Sequence, residues 1–213
     1  MNAKKIKICG INDINILQNI INLKIDYVGF IFYEKSPRYV DKKFLKTLNK
    51  INFKKIRPVC VYVNPDEDFV YKTSSYFTDP ILQFHGNETA LVCEQFKLPY
   101  IKAVRMKPGI DPLQVDHLHP NAGALLLDTY RQQEVGGTGA SFDWGLARAK
   151  TRAPIILAGG LCADNVADAL AQSDAWGVDV STGVEVMPGI KDAEKIKMFC
   201  RTVREFDGQR RAC

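Results

Sequence analysis

No CxxC pair and no CxxC–HxxxH spacing occurs in this sequence, which excludes the common zinc frameworks. The six cysteines (Cys9, Cys60, Cys93, Cys162, Cys200 and Cys213) are scattered, as expected of free thiols in a reducing cytoplasm. His117 and His119 flank Leu118 with no third ligand nearby, so they are read as a polar surface loop before Pro120, and no metal is expected. No long apolar segment follows Met1-Asn2-Ala3-Lys4-Lys5; no signal peptide and no membrane partner are expected. No GxGxxG follows the first strand-like run, which argues against a dinucleotide fold. Charge of one sign is nowhere concentrated. The net charge is +5 and the lysines spread through the first half, so no nucleic-acid partner is expected.

What the chain does have is rhythm. Apolar, β-branched runs recur about every 25–30 residues, each followed by a helix-compatible stretch. The strands read are Lys5–Cys9, Tyr27–Phe32, Pro58–Val63, Ile81–Phe84, Tyr100–Val104, Ala124–Leu127, Pro154–Ala158 and Gly177–Val180. Helices are expected at Asp13–Leu23, Lys42–Lys50, Asp66–Phe77, Thr89–Phe96, Trp144–Lys150, Asp164–Ala171 and Asp192–Glu205. Asp111–His117 could hold a short or irregular one. Several strands are apolar at successive positions, as in Val28-Gly29-Phe30-Ile31-Phe32, so both sheet faces should be covered. Eight parallel strands in 213 residues are best closed into a (β/α)8 TIM barrel. The expected layout is a single α/β domain over residues 1–206 with a short basic tail over 207–213.

Barrel active sites form where strands end, and polar and glycine residues gather at that end of almost every strand here. Gly159-Gly160 after strand seven and Ser181-Thr182-Gly183 after strand eight match the usual phosphate cradle, because glycine lets backbone N–H groups approach phosphate oxygens. Gly137 and Gly139, in the loop after strand six, could close over the same group. Alternation places Cys9 on the face of Lys7, and Asp179 on the face of Ser181. Strands one and eight become neighbours on closure, so Lys7 and Asp179 should pair, and the ammonium should lower the Cys9 pKa, with Asp179 partly offsetting it. Cys9 and Asp128 would lie across the barrel as base and acid. Arg38, stiffened by Pro37, could fork onto a carboxylate or make a surface salt bridge. Arg105 is a weaker case of the same kind. His85 is either a polar wall residue or a satisfied core histidine.

Together these residues resemble the phosphoribosylanthranilate isomerases of tryptophan biosynthesis. The resemblance is carried by Lys7-Ile8-Cys9-Gly10, Ser36-Pro37-Arg38-Tyr39, Gln83-Phe84-His85-Gly86 and Leu127-Asp128-Thr129. It continues through Gly136-Gly137-Thr138-Gly139, Leu157-Ala158-Gly159-Gly160-Leu161 and Val178-Asp179-Val180-Ser181-Thr182-Gly183-Val184-Glu185. It implies an Amadori rearrangement of a phosphorylated aminoaldose to an aminoketose, with no cofactor, since the substrate's own amine provides the electron sink. By resemblance, Asp128 is the general acid, Cys9 the general base, and Arg38 the carboxylate anchor. His85 and Asp179 belong to the substrate-binding set, and Gly137, Gly139, Gly159, Gly160, Ser181 and Gly183 to the phosphate set. The assembly is expected to be a monomer or homodimer. The alternatives are a histidine-pathway aminoaldose isomerase, an indole-glycerol-phosphate synthase, or a barrel that only binds a phosphorylated ligand. The first normally has an aspartate where Cys9 stands. The pattern departs from the family at Ile11-Asn12-Asp13, where threonine and a basic residue are common.

Overall fold

A computed structural model describes residues 3–23, 25–129 and 144–212. Eight parallel strands close into a barrel in chain order: β1 Lys5–Cys9, β2 Tyr27–Ile31, β3 Arg57–Tyr62, β4 Ile81–Phe84, β5 Tyr100–Met106, β6 Ala124–Thr129, β7 Ile155–Leu157 and β8 Gly177–Val180. Helices α1 Ile14–Ile21, α2 Lys42–Leu48, α3 Glu67–Ser74, α4 Ala90–Glu94, α5 Pro112–Leu118, α6 Val166–Gln172 and α7 Ala193–Ala212 follow the strands. Closure brings β1 beside β8, with Lys7 opposite Asp179.

Strand alternation splits the apolar residues into two cores. Val59, Val61, Ile81, Ile101, Ala103, Leu126 and Ile156 fill the barrel. Outside it, Ile6, Ile8, Phe30, Tyr62, Phe84 and Leu127 meet the helices. Phe30 stacks on Phe77 at 5.1 Å and Phe84 on Phe96 at 5.8 Å between ring centroids.

Side-chain caps set where helices begin. Asp13 Oδ1 accepts from the Asn15 and Ile16 N–H groups at 2.8 and 2.9 Å. The unusual Ile11-Asn12-Asp13 stretch thus supplies the α1 cap. Asp111 accepts from Leu113 N–H at 2.9 Å, with Pro112 opening the helix, so α5 is the short helix of the two forms expected there. The helix expected from Trp144 is instead a five-residue 3-10 turn, Trp144–Arg148, with the poor helix former Gly145 in its first turn. Past residue 206 the described residues remain helical. Helix α7 continues to Ala212, and Asp207 accepts from the Lys4 N–H at 2.9 Å, fastening the end of the chain to the start of β1. His119 is buried rather than in a surface loop, its Nδ1 lying 3.5 Å from the Tyr100 hydroxyl. After β8 comes a 3-10 turn, Thr182–Val184, and a small hairpin of β9 Glu185–Met187 and β10 Ile190–Lys191.

Candidate active site

A cavity of about 540 Å³ opens at the C-terminal rim of the barrel. Cys9, Arg38, His85, Asp128, Gly159, Gly160, Asp179 and Ser181 all line it, together with Gln83, Arg105 and Thr182. Gly183 is not in the wall but behind it. A side chain there would collide with the Leu161 carbonyl, so only glycine lets the β8 loop lie against the β7 loop. Gly137 and Gly139 lie outside the described residues.

The floor is an ion pair. Lys7, only 1% exposed, donates from Nζ to Asp179 Oδ2 at 2.9 Å, which is the pairing expected from alternation. Lys7 and Asp179 act on Cys9 with the expected signs, but burial reverses the net effect. Burial pushes the thiol up, Lys7 pulls it down as a nearby charge and hydrogen-bond donor, and Asp179 pushes it up again. The thiol ends above its ordinary value, because a residue 6% exposed loses more thiolate hydration than one shared ammonium restores. Lys7→Met should therefore raise the Cys9 pKa further, by about one unit or more, and destabilise the fold by roughly 3 kcal/mol through the orphaned Asp179. Alkylation rate against pH in a Cys162→Ser background, with thermal unfolding alongside, would measure both. An unmoved thiol pKa would rule out the influence of Lys7.

Opposite Cys9, the β6 terminus presents Asp128, with its side chain 32% exposed. His85 Nε2 lies 3.1 Å from Asp128 Oδ2, and Gln83 Nε2 lies 3.2 Å from His85 Nδ1. His85 is thus a wall residue coupled to the acid candidate, not a core histidine. Gln83, 1% exposed, had no role assigned from the sequence; its place two residues after inward-facing Ile81 is the signal for it.

Arg38 makes a salt bridge, but a buried one rather than one at the surface. It lines the cavity, yet its Nε and Nη2 already fork onto Glu185 at 2.7 and 2.6 Å. Lys191 Nζ donates to the same carboxylate at 2.7 Å, and to the Ser181 carbonyl and hydroxyl at 3.0 and 3.1 Å. Burial alone would push the Glu185 carboxyl up, but Arg38 and Lys191 outweigh it and hold the group below the usual carboxylate range. Glu185 and Lys191 were not assigned from the sequence.

The two glycine loops are stiffly held. Gly159 and Gly160 take φ of +83° and +65°, the left-handed region that side chains disfavour. Asn165 ties this loop: its Nδ2 donates to the Gly160 carbonyl at 3.0 Å and its Oδ1 accepts from Cys162 N–H at 2.8 Å. The 3-10 turn after β8 begins beside them, with Ser181 and Thr182 in the wall. Loops after strands seven and eight with a short extra helix form the habitual phosphate site of barrel enzymes.

Such a rim suits one class, the barrel enzymes that move protons on a phosphorylated small molecule gripped by its phosphate. Residues 6–202 match the family described as "N-(5'phosphoribosyl)anthranilate (PRA) isomerase", and the chain belongs to that family. A relative of that name from Nitrosospira multiformis is 44% identical over 199 residues, covering 93% of this chain and 96% of its own length. The crystal structure of phosphoribosyl anthranilate isomerase from Thermotoga maritima superposes with a TM-score of 0.83 at 32% identity, covering 95% of this chain and 99% of that one. A further solved isomerase, in complex with reduced 1-(o-carboxyphenylamino)-1-deoxyribulose 5-phosphate, has a TM-score of 0.81 at 30% identity, with coverages of 95% and 99%. Among the described residues, no helix is long and apolar enough to cross a membrane.

Proposed function

We propose that this chain catalyses the Amadori rearrangement of N-(5'-phosphoribosyl)anthranilate to 1-(2-carboxyphenylamino)-1-deoxyribulose 5-phosphate, a step of tryptophan biosynthesis. The observation that carries the reading is that Cys9 and Asp128 line one cavity from β1 and β6, with the β7 and β8 glycine loops at the same rim. Asp128 gives a proton to the furanose oxygen, and the ring opens to an iminium. Cys9, as thiolate, removes the proton from C2, and electrons flow to the substrate nitrogen to form an enolamine. The Cys9 thiol returns its proton to C1 as the C2 hydroxyl proton goes back to Asp128, leaving the ketone and both catalytic groups reset. One donor, one acceptor and the substrate amine are enough to balance the reaction.

The ends of the substrate are held apart. Backbone N–H groups of Gly159, Gly160 and Ser181 take the phosphate, with the Gly137–Gly139 segment assigned to the same task. The Lys191 ammonium under Ser181 adds positive charge there. Arg38 meets the anthranilate carboxylate through Nη1, the nitrogen Glu185 leaves unengaged. Asp179 and His85 face the ribose. The free cysteines among the described residues fit a reducing cytoplasm, and a monomer or homodimer fits a site built within one chain.

Freshly made phosphoribosylanthranilate should lose its anthranilate-type fluorescence on addition of the purified protein, at a rate proportional to enzyme. A rate no faster than spontaneous decay would overturn the reading. Comparable turnover of the histidine-pathway aminoaldose would replace it with that of a broader isomerase.

A further inference from the structure

The Gln83 amide is buried in the cavity floor and faces His85 from below, while His85 faces Asp128. An amide has a donor end and an acceptor end. With Nε2 turned to His85 Nδ1 at 3.2 Å, Oε1 is buried and has no hydrogen-bond partner. We infer that Gln83 is a positioning residue whose amide orientation sets the tautomer of His85, and through it whether Asp128 holds the proton it donates. The inference rests on the proposed role of Asp128 as general acid.

The two orientations match the two states an acid must visit. When Nε2 donates to Nδ1, the imidazole hydrogen sits on His85 Nε2 and points at Oδ2. Asp128 is then a hydrogen-bonded carboxylate, the acid after its proton has gone. Turn the amide over, and Oε1 accepts from Nδ1–H. His85 Nε2 is then free to accept from protonated Asp128, or to carry that same proton itself while Asp128 is ionised. The loaded state holds one proton more than the spent one. That proton leaves to the furanose oxygen and returns from the C2 hydroxyl, so the cycle balances. The orphaned Oε1 gains its partner in the loaded orientation.

Other charged groups face the pair. Asp179 on β8 lies within electrostatic reach of both Asp128 and His85, with Lys7 on β1 behind it. Arg105 on β5 is the register neighbour of Asp128, and Cys9 and Arg38 share the cavity. None of them hydrogen-bonds His85 Nδ1 among the described residues, which leaves Gln83 as the group that selects the tautomer.

The test compares Gln83→Leu and Gln83→Glu with the parent enzyme. The His85 imidazole nitrogens are followed by 15N NMR through a pH titration, assigned by loss of signal in His85→Asn. Steady-state kinetics run alongside. In Gln83→Leu, nothing accepts from Nδ1–H, so the pair should lose its proton about one pH unit lower, with kcat down roughly tenfold at neutral pH and KM within about threefold. In Gln83→Glu, a carboxylate accepts from Nδ1–H, so the midpoint should rise by about one unit and kcat at neutral pH should stay within about threefold of the parent. Unmoved midpoints, or losses of kcat equal at every pH, would overturn the inference. If Gln83→Leu does not fold, Gln83→Glu decides alone, and a midpoint unchanged or lowered counts against it. Asp128→Asn in the same assay separates the two readings. Full activity there removes the acid itself, whereas lost turnover with His85 midpoints unmoved in the Gln83 variants removes only the role of Gln83.

Discussion

Cys9→Ala is expected to lower kcat by about a thousandfold while product affinity changes by less than about threefold. Alanine removes the proposed proton acceptor and nothing else that holds the substrate. The fold should tolerate the change, since the Lys7–Asp179 pair beneath does not depend on sulfur. Serine is the sharper control. It is nearly isosteric, yet its hydroxyl is far too weak an acid to supply an alkoxide base, so Cys9→Ser should fail almost as badly as alanine. The pH profile carries its own sign. The Cys9 thiol lies above its ordinary value because burial outweighs Lys7. Little thiolate exists at neutral pH, and kcat/KM should climb through roughly pH 7 to 9 without levelling off, because the thiol ionises above its ordinary value. Cys93 and Cys200, pushed by burial up to about 12, do not ionise in that window. A flat profile, or a serine variant with parental kcat, would remove Cys9 from the base role.

The barrel was legible because its evidence is local. Runs such as Val28-Gly29-Phe30 and Leu125-Leu126-Leu127 announce buried parallel strands wherever they sit, and Ile81–Phe84 and Gly177–Val180 begin and end where the residues indicate. The Lys7–Asp179 pair was legible too, since alternation and closure together place both side chains inside. The Arg38–Glu185–Lys191 network was not. Arg38 and Glu185 lie 147 positions apart, and the hairpin that joins Glu185 to Lys191 has strands of three and two residues. No periodicity builds up over so short a stretch. The net Cys9 shift was hidden for another reason: alternation names the neighbours of a thiol, whose effects have the expected signs, but not how much water it loses.

That network changes what Arg38 can do. A guanidinium free to swing would pay conformational entropy on meeting a carboxylate, whereas one already forked onto Glu185 is held for its partner in advance. Because Lys191 joins Glu185 to Ser181, the same buried carboxylate braces the proposed anchor for the aromatic ring and the proposed phosphate cradle. A single hairpin thereby sets the spacing between the two proposed anchors.

The acid half of the mechanism makes a demand that the base half does not. Asp128→Asn should leave the wall nearly unchanged, because the amide matches the carboxylate in shape and can still meet His85. It cannot deliver a proton to the furanose oxygen, so kcat should fall by about a thousandfold with product affinity spared. The step that becomes slow then distinguishes this variant from Cys9→Ala. Without Asp128, ring opening limits turnover, and deuterium at C2 of the ribose should make almost no difference to the rate. Without Cys9, breaking the C2–H bond limits turnover, and the same deuterium should slow it by several-fold, about the size of a primary isotope effect on a proton transfer. Parental kcat in Asp128→Asn would end the acid assignment. A full C2 isotope effect in that variant would also end it, since it would mean the ring opens readily without Asp128.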